Sequence, residues 1–487
     1  MNTKVLINRL PTGVPGLDDI LGMRGLPELS FNLIGGIPGS GKTTLAHQIM
    51  FSLAQPDRRA IFFTVLGEPA LKMLRYQQQF SFFDINKVNQ SIRFINLSND
   101  LIDGSFDQIL LRITEEVKAF TPSLIFVDSF RSIVQSAKSK ASGMSDLQWF
   151  VQQLGMKMTS WQATTFLVGE YQLQEAESNP IYTLADGILW LTQSIYRNSV
   201  VRKIQVVKIR GQAQIEGLHT YRIGNNGIEI FPRTSVSEGY ESALPATTCS
   251  LKNKRTPLGV TDLDEMLGGG LPCGSSILIV GPSGSGKTVL AMDFLEEGIR
   301  RGETGVVAAF EDSSRKFMNN KFHAFIESGR IRMINTRSLD MSIDETLHDL
   351  IQKINDMKAK RVVLDSLSGF ELALAPEFRE DFRGSLYRMI AELTKSDINI
   401  LMTSEFDYAA VDLLLSPSGS AFHADVIIVQ RYIEIASQYQ RALSVIKVRG
   451  SAHSNDIRLY NITDQGIQIG DTLTPYREIM SGQPIKL

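Results

Sequence analysis

The chain has 487 residues, of which 43% are hydrophobic and 21% charged, with a net charge of −2 and a pI near 6.4. This is the composition of a soluble globular protein: no global basic excess advertises nucleic-acid binding, and no apolar run approaches a membrane span. The cysteines, Cys249 and Cys273, lack metal-ligand spacing, the histidines are scattered, and the first residues lack the apolar core of a signal peptide. A disulfide framework, a zinc site and secretion are therefore unsupported, and a reducing cytoplasm is the expected compartment.

A prior of about 150 residues per domain suggests three domains, but an internal repeat overrides that count. The segment TGVPGLDDILG at 12–22 is echoed by LGVTDLDEMLG at 258–268, and Gly-Leu-Pro follows each. LIFVDS at 124–129 matches VVLDS at 362–366, and VVKIRG at 206–211 matches VIKVRG at 445–450. The same landmarks in the same order at similar spacing mark a tandem duplication. Domains are expected over 1–235 and 255–487, joined by a linker over 236–254 that is rich in Ser, Thr, Pro and Glu and has little periodicity.

Within each copy, short apolar runs alternate with helical stretches, which predicts an α/β fold with a parallel sheet flanked by helices. In the first copy strands are expected at Phe31–Ile34, Ala60–Val65, Ser123–Val127, Thr165–Val168, Gly187–Leu191 and Lys203–Ile209. Helices are expected between them, for example Thr44–Leu53 and Phe106–Lys118. Past Arg210 the pattern becomes short and antiparallel-like, at Leu218–Ile223 and Gly227–Phe231. The second copy repeats the plan and closes with Ile457–Ile462 and Gly466–Ile469.

GPSGSGKT at 281–288 fits the P-loop pattern G-x-x-x-x-G-K-[ST], after the apolar run Ile277–Val280 and before a helical stretch. GIPGSGKT at 36–43 fits it again, after Phe31–Ile34. In such a loop glycines let backbone N–H groups converge on phosphate oxygens at the positive end of the following helix. The expected nucleotide-binding residues are Gly36, Gly39, Ser40, Gly41, Lys42, Thr43 and Thr44, then Gly281, Gly284, Ser285, Gly286, Lys287, Thr288 and Val289. Lys42 and Lys287 suit the β- and γ-phosphates of ATP, and Thr43 and Thr288 suit Mg²⁺. An apolar strand ending in Asp is also what a Mg²⁺-holding carboxylate needs, which points to Asp128 and Asp365. Alone, such an Asp is more often a turn residue; downstream of a P-loop it reads as the metal residue.

Hydrolysis needs a carboxylate to orient or deprotonate water. The second repeat offers Glu311 and Asp312 directly after the run Gly305–Phe310. The first offers Glu68, displaced in register and beside Pro69, where a role in helix N-terminal charge stabilisation fits as well. Lys208 with Arg210, and Lys447 with Arg449, alternate along a strand, so both side chains of each pair emerge on one face. Such a pair reads as an exposed edge or, given its recurrence beside Gly in both repeats, as a phosphate-directed group donated across a subunit interface.

Taken together, these segments resemble the KaiC-like branch of RecA-type ATPases, over nearly the whole chain. The resemblance rests on the opening Thr-Gly-x-x-Gly-Leu-Asp, both P-loops, both Asp-terminated strands, both Lys-x-Arg-Gly segments and EIMSGQP at 478–484. It implies a tandem pair of RecA-like P-loop domains in a two-tier homohexamer, with ATP between neighbouring subunits and the Lys-x-Arg pair of one approaching the γ-phosphate held by the next. Three departures stand out. Clock members carry paired glutamates after the second strand of each repeat, whereas Leu66 and Gly67 stand there in the first repeat. Clock members autophosphorylate Ser and Thr at positions that here, counted back from Asp425, are Ala421 and Phe422; Ser416, Ser418 and Ser420 are off register. Clock members also extend past the Ser-Gly-x-Pro segment with a tail engaged by a regulatory protein partner, which the residues after Pro484 do not match.

The leading expectation is an ATPase, using ATP and Mg²⁺, whose nucleotide cycle switches the shape or partners of a ring. A serine/threonine autokinase and a RecA/RadA-like DNA-repair ATPase are the alternatives. For DNA, Lys138 and Lys140 offer a cationic loop, but the matching loop of the second repeat holds Glu371, Glu377, Glu380 and Asp381 against Arg379, and like charge opposes phosphate. A regulatory protein partner fits the family; DNA and membrane do not.

Overall fold

The computed structural model describes residues 7–22, 25–64, 70–98, 106–129, 144–171, 180–196, 199–233, 255–310, 320–336, 342–374, 376–379, 382–394, 397–405, 424–473, 476–477 and 485–486. The backbone contacts divide the chain into two units, Met1–Arg233 and Thr234–Leu487. Each is built on one nine-stranded sheet.

In the first unit the principal elements are β1 (Phe31–Gly36), α1 (Lys42–Leu53), β2 (Ala60–Thr64), β3 (Ile92–Asn96), α2 (Phe106–Phe120), β4 (Leu124–Asp128), α3 (Met144–Ser160), β5 (Thr164–Glu170), β6 (Gly187–Tyr196), β7 (Ser199–Ile209), β8 (His219–Gly224) and β9 (Gly227–Phe231). The second unit repeats them as β10 (Ser276–Val280), α4 (Lys287–Arg300), β11 (Gly305–Phe310), β12 (Ile331–Thr336), α5 (Ile343–Met357), β13 (Arg361–Asp365), α6 (Phe382–Thr394), β14 (Asn399–Ser404), β15 (Val426–Ile435), β16 (Gln438–Val448), β17 (Ile457–Thr463) and β18 (Gly466–Thr472). The sheet orders are β9-β8-β7-β6-β1-β5-β4-β2-β3 and β18-β17-β16-β15-β10-β14-β13-β11-β12. Each label in the second order is the first shifted by nine, so the duplication read from the sequence is a duplication of topology.

The strands from β6 to β3 run parallel, and β7, β8 and β9 continue the sheet antiparallel. Lys203–Ile209, expected among the alternating strands, thus belongs to a hairpin: β6 runs past Leu191 to Tyr196 and β7 returns beside it. The edge strand β3 was not anticipated. Its run Ile92-Arg-Phe-Ile-Asn96 is only half covered and carries polar residues, so it lacks the apolar signature of the central strands.

The parallel sheet is covered on both faces, so neighbouring strand residues serve different cores. On one face Leu45, Ile49 and Met50 of α1 pack with Phe62, Phe126 and Phe166. On the other, Ile109 and Ile113 of α2 and Leu154 of α3 pack with Phe63, Val127 and Leu167. The second unit repeats this, with Leu290 and Phe294 of α4 on one face and Leu347 of α5 and Met389 of α6 on the other. The sheet therefore holds the carboxyl ends of its parallel strands side by side in register. Among the described residues, no helix is long and apolar enough to cross a membrane.

Candidate nucleotide sites

Both P-loops leave the carboxyl end of the central strand and feed the buried helix, α1 or α4. Gly41 and Gly286 sit at the helix N-caps with φ of 90° and 100°. A Cβ there would come within 2.7 Å of Ile223 and 2.8 Å of Ile462. Only glycine combines that left-handed backbone with that close approach. Neither helix has an acidic residue in its first turn, so its N-terminal partial charge is left for an anion.

In the first unit the Lys42 ammonium donates to the Ile37 carbonyl at 2.7 Å. The Thr43 hydroxyl donates to Asp128 Oδ2 at 2.6 Å. Lys42 is only 7% exposed; burial lowers its pKa, while Glu170 and then Asp128 oppose that shift. Asp128 is raised by burial, against the Thr43 hydrogen bond and the Lys42 charge. A cavity of about 440 Å³ opens over this group, lined by Lys42, Thr43, Thr44, Asp128, Gly169 and Glu170 among others.

The second unit is built alike. Lys287 donates to the carbonyls of Gly281 and Pro282, both at 2.8 Å, and reaches Glu405 Oε1 at 3.4 Å. Thr288 donates to Asp365 Oδ2 at 3.0 Å, and Thr403 donates to the other carboxylate oxygen. The peptide bond after each of these aspartates is cis. Val289 occupies the half-buried first-turn position corresponding to Thr44.

Several participants were not singled out from the sequence. Tyr221 and Tyr460, on β8 and β17, donate their phenols to the carbonyls of Ser40 and Ser285, pinning each P-loop to the antiparallel half of the sheet. Burial raises both phenols. Ser285 also donates to Gln430 Oε1 at 3.0 Å, and Ser40 to the Ile37 carbonyl at 2.8 Å. Glu170 and Glu405 are a second set of site carboxylates. The signal for both was the matched endings of the strands running into LVGE and MTSE. The carboxylates expected beside water, Glu68, Glu311 and Asp312, lie outside the described residues, as do Lys138, Lys140, Glu380, Asp381, Ser416, Ser418 and Ser420. In the loop weighed for DNA, Arg379 donates to the carbonyls of Leu372 and Leu374.

The Lys-x-Arg pairs lie at the opposite end of the sheet. Lys208 donates to the carbonyls of Tyr182 and Thr183, and Arg210 pairs with Asp186 at 3.1 Å. Asp186 in turn accepts from the Phe31 amide at the start of β1. Lys447 donates to the Ala424 carbonyl and Arg449 pairs with Asp425 at 3.0 Å. Burial, and then the neighbouring arginine, lowers the pKa of each lysine. A bulge lies immediately before each lysine, at Val207 and Ile446, where the ladder register shifts. From Phe31 to the P-loop is the full length of β1, five steps of about 3.3 Å or roughly 17 Å. Lys208 and Arg210 therefore stand at the amino edge, and their own P-loop at the carboxyl edge.

Compared with known proteins, residues 10–235 and 256–474 each match the family model described as ATPase: KaiC. The chain belongs to the KaiC ATPase family. It is 27% identical to the circadian clock oscillator protein KaiC of Rippkaea orientalis over 502 residues, covering 100% of this chain and 93% of that protein. It is 27% identical to the protein of that name from Prochlorococcus marinus, covering 99% of this chain and 96% of the relative. With KaiC 1 of Synechocystis the identity is 26%, over 99% and 92% of the two chains. Family membership establishes the duplicated ATP-binding P-loop domain of a KaiC-type ATPase.

Proposed function

We propose that this KaiC-family chain is an ATP-hydrolysing ring protein, a homohexamer with ATP at its subunit interfaces, and that turnover acts as a conformational or regulatory switch. The observation that carries the reading is the separation of each Lys-x-Arg pair from its own P-loop by the length of the sheet. A phosphate-directed role for Arg210 or Arg449 then requires the P-loop of another copy.

The residues fit ATP and Mg²⁺ on their own chemistry. Each site combines a glycine cradle at a helix N-terminus, a nearly buried lysine and two hard oxygen donors, Thr with Asp, in mutual contact. Bound ATP would supply the transferable γ-phosphoryl group, with Mg²⁺ shielding its charge. The P-loop amides bind and orient phosphate. Lys42 and Lys287 turn from loop carbonyls toward phosphate oxygens. Thr43 with Asp128, and Thr288 with Asp365, would hold the metal. Tyr221 and Tyr460 keep the loops from opening.

The test is complementation. One variant carries Arg210→Ala and Arg449→Ala, the other Lys42→Ala and Lys287→Ala. Each alone should lose most ATPase activity, since an arginine finger is worth roughly 10³–10⁵ in rate, and mixing them under conditions of subunit exchange should restore part of it. Full wild-type activity in a monomer, or mixed assemblies with no recovery, would exclude the interfacial arrangement.

A further inference from the structure

The acid at the end of the strand between the P-loop strand and the Asp-bearing strand has no role in the function proposed above. In the second unit it is Glu405, directly after β14, and β14 lies between β10 and β13. In the first it is Glu170, the last residue of β5, on the wall of the cavity with Lys42 and Asp128. The residues before them differ, Val168 and Gly169 against Thr403 and Ser404, yet the acid recurs at the same point of the fold.

The lysine explains why. An ammonium has three N–H donors. Those of Lys287 face two loop carbonyls at 2.8 Å and Glu405 at 3.4 Å. Lys287 is 6% exposed and Glu405 50% exposed, so the lysine is fixed in the loop while the acid is free to swing toward water. Asp128 and Asp365 are already engaged by the Thr43 and Thr288 hydroxyls. A phosphate that takes the lysine must displace the glutamate, and thereafter faces its negative charge across a few ångströms.

We propose that Glu405 and Glu170 are positioning residues that hold the P-loop lysine in exchange with nucleotide phosphate and thereby speed nucleotide release. This rests on the ATP-binding reading above. The ion pair is half exposed and contributes little to folding, so its removal leaves a folded protein.

The experiment uses the full chain with Glu405→Gln, Glu170→Gln, the double variant, and Glu405→Asp as the charge-conserving control. Dissociation of a fluorescent ADP analogue is followed by chase with unlabelled ADP, and labelling of Lys287 by acetic anhydride without nucleotide is followed by mass spectrometry. Each Gln variant should slow release from its own site about 5- to 30-fold, corresponding to roughly 1–2 kcal/mol, while the Asp variant stays near wild type. Lys287 should label several-fold faster in Glu405→Gln, because the freed amine loses its counter-charge. Release at the wild-type rate or faster overturns the proposal. Slower release with unchanged Lys287 labelling overturns the lysine exchange, leaving only direct repulsion of phosphate. If the wild-type chain binds neither ADP nor ATP, the ATP-binding reading fails first and this one with it.

Discussion

His47 lies one helical turn beyond Thr43, fully buried, with its ring stacked on Phe62 at a centroid distance of 4.5 Å. Neither ring nitrogen makes a well-formed hydrogen bond. Burial pushes its pKa down from the ordinary 6.5 to about 3, the Thr43 backbone only partly opposing this. The sign follows directly. Between pH 6.5 and 3 the unfolded chain binds the proton and the folded chain does not, so stability rises with pH across that window and is lost as pH falls through it. At pH 5, about 1.5 units below the unfolded value, the loss is about 2 kcal/mol. The corresponding position in α4 is Met292, an apolar solution to the same packing problem. His47→Met in the full chain should remove about 2 kcal/mol of the difference in denaturant stability between pH 7.5 and pH 5. An unchanged pH dependence would show that the ring is hydrated or paired. At this scale the sequence was legible for residues whose spacing is dictated by ligand chemistry, such as Lys42 with Thr43. It was silent on Tyr221 and Tyr460, and gave Glu170 and Glu405 only through the matched strand endings LVGE and MTSE, because each reaches the P-loop from a strand distant in sequence and none belongs to a local P-loop motif.

At the scale of elements, the two units solve the start of the Asp-bearing strand differently. β4 begins with Leu124, an ordinary core residue, and β13 with Arg361, only 1% exposed. The Arg361 guanidinium donates to Glu303 at 2.7 Å and to the carbonyls of Pro257 and Phe294, and lies over the Phe294 ring. It thereby ties β13 to α4 and to the opening segment of the unit. Burial lowers its pKa, the Glu303 pair opposing. Breaking such a group from one side costs about 3–5 kcal/mol, while replacing it by apolar bulk is often neutral. Arg361→Ala should therefore destabilise the second unit by about that amount in urea unfolding. Arg361→Leu, which restores the residue at that point of the first unit, combined with Glu303→Gln should stay within about 1.5 kcal/mol of wild type; an equal loss in both variants would mean that the ion pair itself holds the strand. The same comparison explains what could be read in advance. Apolar runs such as Ile277–Val280 announced central strands, whereas half-covered edges such as Ile92–Asn96 and the hairpin reversal before Ser199 depend on what the sheet packs against and carried no periodic signal.

Across the whole molecule, one topology carries two unequal sites, and this predicts a division of labour. In the second unit Asp365 is held through both oxygens, by Thr288 and Thr403, so its orientation toward a metal is determined. In the first, Thr43 donates to Asp128 and Val168, which has no donor, stands where Thr403 does. Burial moreover raises the proton affinity of Asp128. The sequence adds a second inequality: Glu311 and Asp312 follow β11, while Leu66 and Gly67 occupy those positions after β2, and only the displaced Glu68 is close by. Losing a water-orienting carboxylate removes a factor of typically about 10²–10⁴ in rate and leaves the phosphate contacts of the P-loop intact. Glu311→Gln should thus abolish most steady-state hydrolysis without loss of nucleotide binding, and Glu68→Gln should reduce it less. Blocking the cradles with Lys287→Ala and Lys42→Ala should give the same ranking, the second repeat carrying turnover and the first serving chiefly as an ATP-stabilised scaffold. The deciding measurement is ATP hydrolysis by the Glu68→Gln and Glu311→Gln chains side by side. If Glu68→Gln is the more damaging, the working site is the first, and the second hydroxyl on Asp365 serves structure rather than turnover.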